Sequence, residues 1–245
     1  MKPKNSELFL PLLLLFAGTA LASDKKAVEA PKDDFMAGSV VKSDDWEIDR
    51  VKNIETFKGH VSFRNSQYKL NADNAVYHHK TKKWDMRDNV YSLRTFENGT
   101  RIEMFCDSAE YFENMQKSTL HSGKNRVKSV YHSPGHGVMT GLSDRLDADN
   151  SAGTLNFSGN FTVFTDSATV IGEKGVYRNS TGEFAITGNT PFAVGINEKH
   201  QTYLEGELIT LNKDTHDISA YRNVKGLVVS KDGESLFKKK TGAAK

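Results

Sequence analysis

Leu70-Asn71-Ala72-Asp73-Asn74-Ala75-Val76-Tyr77, followed after a polar turn by Trp84-Asp85-Met86-Arg87-Asp88-Asn89-Val90, is a phrase that the chain repeats. Shifting it by −29, +34, +71, +100 and +134 residues keeps each kind of residue in its column. The Asp73 column reads Asp44, Asp73, Asp107, Asp144, Glu173, Glu207, an acid every time. One place earlier stand Ser43, Ala72, Cys106, Ser143, Gly172 and Gly206, all small. The Tyr77 column reads Ile48, Tyr77, Tyr111, Ala148, Tyr177 and Leu211, and twelve residues further on come His60, Asn89, Gly123, Asn160, Asn189 and Asn223. Six copies at spacings of 29 to 37 residues define stacked units, each too small to bury its apolar face alone.

Each unit carries two strand signals. Leu155, Phe157, Gly159, Phe161 and Val163 alternate with polar residues, and Phe184, Ile186, Gly188, Thr190, Phe192 and Val194 read on the same beat. Period-two alternation is a strand with one buried face. The mid-run Gly and Asn residues predict a bend or bulge, where a long strand curves from one sheet into another. In the first strand of each unit, Leu70 and Ala72 share one parity and Ala75 and Tyr77 the other, so the backbone must slip by one residue at the acid. Asp73 and its counterparts are expected to hold that kink by accepting local backbone N–H bonds. No sustained helical period follows residue 22, and Lys124–Met139 reads as an irregular insertion. The expected fold is all-β, an elongated open β-jelly roll of about six tandem two-strand repeats over residues 40–230, with unpaired strands at both ends.

Around that domain the chain is simple. Lys2 and Lys4 precede an apolar run from Leu8 to Ala22 ending in Ala20-Leu21-Ala22, so residues 1–22 read as a signal peptide, or as an inner-membrane anchor if uncleaved. Residues 23–39 are a polar leader and 231–245 a basic tail containing Lys238-Lys239-Lys240. A net charge of +2 offers no argument for nucleic acid. The single cysteine, Cys106, forbids an internal disulfide, and its small-residue column makes it a packing residue.

Catalytic patterns are missing. There is no nucleophile elbow, phosphate loop or dinucleotide fingerprint. His132 and His136 have a ligand-like spacing, but they flank a Pro-Gly turn and no third ligand follows. The reading is therefore no enzyme, no cofactor and no metal. What the strands do offer is a bulky apolar inner face: Tyr77, Trp84, Met86, Tyr111, Leu155, Phe157, Phe161, Val163, Tyr177, Phe184, Ile186, Phe192 and Ile218. Each taken singly reads as ordinary core. Together they also fit a groove between sheets that admits an acyl chain. An exported structural or adhesive protein, binding protein or polysaccharide on its outer face, is the other reading.

The phrase acid-x-Ala-x-Tyr, a polar turn, then an alternating strand with Gly-Asn resembles the OstA-like repeat. Asp73-Asn74-Ala75-Val76-Tyr77, Asp107-Ser108-Ala109-Glu110-Tyr111, Gly159-Asn160-Phe161 and Gly188-Asn189-Thr190 carry the likeness. It covers residues 40 to about 230, and it points to the periplasmic lipopolysaccharide-transport proteins of the LptA and LptC kind, related to the N-terminal domain of LptD. The resemblance implies an open jelly roll whose groove carries the acyl chains of lipid A. It implies partners as well: lipopolysaccharide, the jelly-roll proteins of the inner-membrane complex and outer-membrane translocon, and further copies joined by edge-strand pairing. Lys124, where the repeat wants an apolar residue, departs from the pattern.

Overall fold

The structure, a computed structural model, describes residues 39–135, 137–196 and 198–230. The signal peptide, nearly all of the leader, the tail and His136 lie outside the described residues. Four long strands open the fold after two short ones: β1 (Val40–Lys42), β2 (Asp45–Asp49), β3 (Ile54–Arg64), β4 (Tyr68–His78), β5 (Lys83–Thr95) and β6 (Arg101–Phe112). A single helical turn, Glu113–Met115, leads into β7 (Lys117–His121), β8 (Val127–Ser133), β9 (Gly137–Ser143), β10 (Arg145–Asp149), β11 (Thr154–Ser158), β12 (Thr162–Phe164) and β13 (Ala168–Ile171). The rest are β14 (Lys174–Arg178), β15 (Glu183–Thr187), β16 (Phe192–Ile196), β17 (His200–Glu205), β18 (Leu208–Asn212), β19 (Ile218–Tyr221) and β20 (Lys225–Ser230).

Every pairing is antiparallel, and the pairings run as two parallel tracks. A first layer passes through β2, the first half of β3, then β4, β5, β6, β7, β10, β11, β14, β15, β18 and β19. A second layer passes through β1, the other halves of β3 to β6, then β8, β9, β12, β13, β16, β17 and β20. The layers share β3 to β6, whose registers slip between Lys58 and Val61, Asn71 and Asn74, and Arg87 and Val90. Those slips, and the short crossings beyond β6, form one seam. Among the described residues no strand pairing joins the layers across the opposite side, so the jelly roll is open there and rimmed by hairpin turns.

The seam explains the columns. At the crossings the chain takes consecutive left-handed residues, Gly59-His60, Asp88-Asn89, Gly159-Asn160 and Arg222-Asn223, with φ between 48° and 77°. Asparagine and glycine are the residues that enter this region at least cost. Each acid caps the crossing that lies sixteen residues later in the chain. Asp73 accepts from Asn89 Nδ2 at 2.7 Å, Asp144 from Asn160 Nδ2 at 3.1 Å and Glu173 from Asn189 Nδ2 at 3.1 Å; Glu207 accepts from Asn223. His60 Nδ1 meets Asp44 at 2.7 Å. The acid's own N–H also reaches two carbonyls of that crossing, as Asp144 N does to Ser158 O at 3.1 Å and Gly159 O at 3.0 Å. The expectation of local backbone donors is corrected here: of the six acids of the column, Asp107 alone accepts backbone N–H bonds among the described residues, from Gly123 at 2.7 Å and Asn125 at 2.9 Å, and both come from the neighbouring crossing. A methyl on Gly159 would sit 2.4 Å from Asp144 Oδ2, which is why glycine precedes the asparagine there.

The irregular insertion is not irregular. Most of it is the β8–β9 hairpin, which extends the second layer without a break by pairing β8 to β6 and β9 to β12. Lys124 is exposed in the crossing, and Val127, at 1% exposure, fills the apolar place.

The two outer faces differ in kind. One rung of the first layer reads Thr56, Val76, Asp85, Glu110, Thr119, Asp147, Asn156, Val176, Ala185 and Thr210 across successive strands. A rung of the second layer reads Asn71, Tyr91, Phe105, Lys128, Leu142, Thr162, Ile171 and Phe192. The first is a polar surface; the second is aromatic, aliphatic and basic.

Candidate functional site: the space between the layers

The inner faces are set by the columns on either side of each acid. Two and four residues beyond it, on the first layer, stand Ala75 with Tyr77, Ala109 with Tyr111, Leu146 with Ala148, Gly175 with Tyr177 and Ile209 with Leu211. In the first four pairs a large ring or side chain sits beside a small neighbour, so that opposing layers interdigitate. Gly175 is small because a methyl there would meet the Phe161 ring at 2.3 Å.

Of the residues expected to line the space, Trp84, Met86, Tyr111, Leu155, Phe157, Phe161, Val163, Tyr177, Phe184 and Ile186 are all buried between the layers. They belong to one hydrophobic core, whose rings gather into two clusters, one around Trp84 and one around Phe161. Phe157 stacks on Phe161 at 4.5 Å, Tyr177 lies 4.8 Å from Phe184, and Trp84 touches Phe63 of the other layer at 5.0 Å. Ile218 is half-buried at the end of the array. Phe192 is not in the space. Left-handed Thr190 adds one residue to the Gly188-Asn189 crossing, so Pro191 and Ala193 turn inward and Phe192 stacks outside on Tyr203 at 5.7 Å. Leu70, Met104, Leu120, Leu146, Ile209 and Leu211 also line the space and were missed. Leu120 and Leu211 occupy columns of residues that were chosen, whereas Leu70 and Met104 stand three places before the acid and Leu146 and Ile209 two places beyond it, in columns that supplied no candidate.

The space is tight. Among the described residues the cavities between the layers include one of about 40 Å³ among Tyr68, Leu70, Met86, Met104, Cys106, Tyr111 and Leu120, and one of about 30 Å³ among Ile102, Tyr131, Leu155, Phe157 and Phe184. Each has room for about one water, so a larger guest enters only if the layers part about the seam. Polar atoms within are few. Burial pushes the Cys106 thiol up to about 12, with Asp107 adding to it, so it is an unreactive filler. The Tyr177 hydroxyl is buried with no hydrogen-bond partner among the described residues, and burial holds it protonated.

The mouth is better furnished. On the first-layer rim Tyr77, half-buried, stacks on Trp84 at 4.5 Å, and both donate to Glu113, at 3.1 and 2.9 Å. On the second-layer rim the Arg94 guanidinium lies 4.9 Å from the Tyr68 ring and 4.6 Å from Phe96. Lys213, in the β18–β19 turn of the first layer, pairs with Asp214 and sits 5.5 Å over the Tyr131 ring of the second. That contact is a clasp across the mouth. His132, once weighed as a ligand, is held by Glu103 at 3.1 Å on the outer face.

A family model described as "LptA/(LptD N-terminal domain) LPS transport protein" matches residues 40–217, the repeat array up to the start of β19. The chain belongs to this family. The LptA/LptD N-terminal family is one of non-enzymatic lipopolysaccharide-transport proteins, in agreement with the OstA-like resemblance of the columns and with the all-β open fold. Among solved structures, a match is the crystal structure of LptH, described as the LptA-homologous periplasmic component of the lipopolysaccharide transport device of Pseudomonas aeruginosa. The two share 11% identity with a TM-score of 0.29, over 77% of this chain and 93% of that one. A superposition so loose carries no weight for the fold, which stands on the strand pairings. No curated protein matches the chain.

Proposed function

We propose that this member of the LptA/LptD N-terminal family is a periplasmic conduit that shelters the acyl chains of lipid A between its two layers while lipopolysaccharide passes from the inner to the outer membrane. The observation that carries this reading is the architecture of the space: two apolar, aromatic inner faces joined along a seam, with no strand pairing across the mouth among the described residues. A bare acyl chain in water costs about 0.8 kcal/mol per CH₂, so a chain of a dozen carbons needs such shelter at every step. Seating one requires the layers to swing apart about the seam and the Lys213–Tyr131 clasp to release. Arg94 and Lys213 then stand at the rims, where the phosphates of a lipid headgroup remain outside.

The ends support assembly. Among the described residues β1 and β2 pair on one side only, as do β19 and β20, which leaves an edge at each end of the array. Exposed large apolar residues gather there: Val40, Trp46, Ile48 and Val51 at one end, Tyr221, Val224, Leu227, Val228 and Val229 at the other. We infer that copies, or related jelly rolls of the inner- and outer-membrane complexes, add strand to strand at these edges and extend the slot. Native mass spectrometry of protein released gently from the periplasm tests the conduit. Lipopolysaccharide is expected bound, and a protein that is always bare, even after incubation with excess lipopolysaccharide, would overturn the reading.

A further inference from the structure

The outer face of the second layer is unaccounted for by a slot on the opposite side of the same strands. Apart from Met115 and the residues of the two ends, the large hydrophobics more than a third exposed among the described residues are Phe105, Val138, Phe164 and Ile196, at 37%, 40%, 38% and 51%. All four point outward from this one layer, on β6, β9, β12 and β16. The matching face of the first layer has none of them.

Both outer faces carry cations, and only the second sets them among exposed apolar side chains. On the first layer Lys83 pairs with Asp85 and Glu110, each at 2.8 Å, Arg145 with Asp147 at 2.7 Å and Lys117 with Asp149 at 3.0 Å, whereas Lys58, Arg87, Lys174 and Arg178 make no ion pair among the described residues. On the second layer Arg64, Lys69, Arg101 and Lys128 make no ion pair among the described residues. Lys69 and Lys128 rest instead over the rings of Tyr91 and Phe105, at 5.7 and 5.5 Å. The acids of this face are already engaged. Glu103 takes the Tyr91 hydroxyl at 3.0 Å and His132 at 3.1 Å, and Glu205 takes Tyr203 at 2.7 Å and Lys225 at 2.9 Å. Where the face meets the seam, a cleft of about 370 Å³ opens beside Tyr91, Phe105, Asp107, Arg126 and Lys128, with the Asp107 carboxylate bonded to the Gly123 and Asn125 N–H groups and Arg126 3.4 Å from Asp144.

We propose that this face is a membrane-surface site that lies against a bilayer containing anionic phospholipid. Unpaired cations meet lipid phosphates, Phe105, Phe164 and Ile196 enter the headgroup boundary, and the cleft receives a headgroup. Basic residues interleaved with aromatic and aliphatic ones on a shallow face are the composition that binds such a surface, by buried apolar area plus attraction to anionic lipid. A second copy on the same face would set these cations against one another, which disfavours it. At about 4.8 Å per strand the layer is on the order of 50 Å long, enough to lie along a bilayer rather than touch it at a point.

The test uses the full chain carrying an environment-sensitive dye at Phe164→Cys or, on the first layer, at exposed Thr187→Cys. Buried Cys106, with its thiol pushed up to about 12, does not compete for label. With vesicles containing phosphatidylglycerol, the dye at position 164 should shift to the blue and the dye at 187 should not. Pure phosphatidylcholine should give little shift. Adding Lys69→Glu and Lys128→Glu should weaken the vesicle response about tenfold or more, since each cation near such a surface is worth roughly 1 kcal/mol. Equal shifts at both positions, no shift at 164, or a response indifferent to the charge reversals would overturn the proposal. So would a shift at 164 produced by raising protein concentration without vesicles, which would assign the face to a second copy. The lipid slot is untouched by any of these outcomes.

Discussion

At the residue scale the fold hangs on a carboxylate reaching the crossing of its neighbour. Each bond is charge-assisted, and all but those of Asp107 fix a left-handed residue that would otherwise be costly. Asn160→Ala should lower stability to chemical denaturation by about 1 to 2 kcal/mol, and Gly159→Ala by at least as much, because its methyl meets Asp144. A second acid has another task. Asp149 caps the β10–β11 turn, bonding the Ser151 hydroxyl at 2.6 Å and the Ala152 N–H at 3.0 Å, with Lys117 at 3.0 Å. These partners, the Ser151 hydroxyl first, hold its carboxyl at about 2 against an ordinary 3.8. The folded value is the lower one, so the stabilisation is complete above about pH 4 and is lost as pH falls through about 2. Its size is roughly 2 kcal/mol. Asp149→Asn should therefore lose about that much at pH 7 and flatten the unfolding curve between pH 4 and 2. The acid column and the asparagine column were both plain in the sequence. What joined them was not, because the partner lies sixteen residues away and only the three-dimensional crossing brings it near.

At the scale of elements, alternation gave the strands and their bends, and it failed where a bend gained a residue. Leu155 to Val163 holds its beat through Gly159-Asn160, whereas Phe184 to Val194 loses it at Thr190. Nothing in the string of letters marks Thr190 as the extra residue; its left-handed φ of 50° does. The two phenylalanines should consequently behave differently. Phe161→Ala, at a site 0% exposed, should cost about 3 to 5 kcal/mol, and Phe192→Ala about 1 kcal/mol or less, both read by urea denaturation. Lys124 to Met139 was misread for a related reason. Ser133-Pro134-Gly135 signals a turn, and its flanks alternate too weakly to announce β8 and β9, whose pairing comes from the strands already in place on either side.

For the whole molecule, the open, stacked architecture was legible from repetition alone, since six units that cannot bury their own faces must share a core. The tightness of the slot was not legible, because it depends on how side chains from two layers interlock. The same architecture leaves two sticky ends. Val228→Pro, on the outermost strand β20, removes a backbone donor and should abolish concentration-dependent association seen by sedimentation while leaving the circular dichroism of the monomer unchanged. Association undiminished by that change would locate it elsewhere. The most direct measurement is site-specific photo-crosslinking in cells during lipopolysaccharide export. With the photoreactive residue placed at Phe157 or Phe184 inside, or at Asn156 or Ala185 on the first layer's outer face, lipopolysaccharide should be captured at the inner pair and not at the outer pair. Capture at neither inner position, or equally at all four, would contradict an acyl-chain path between the layers.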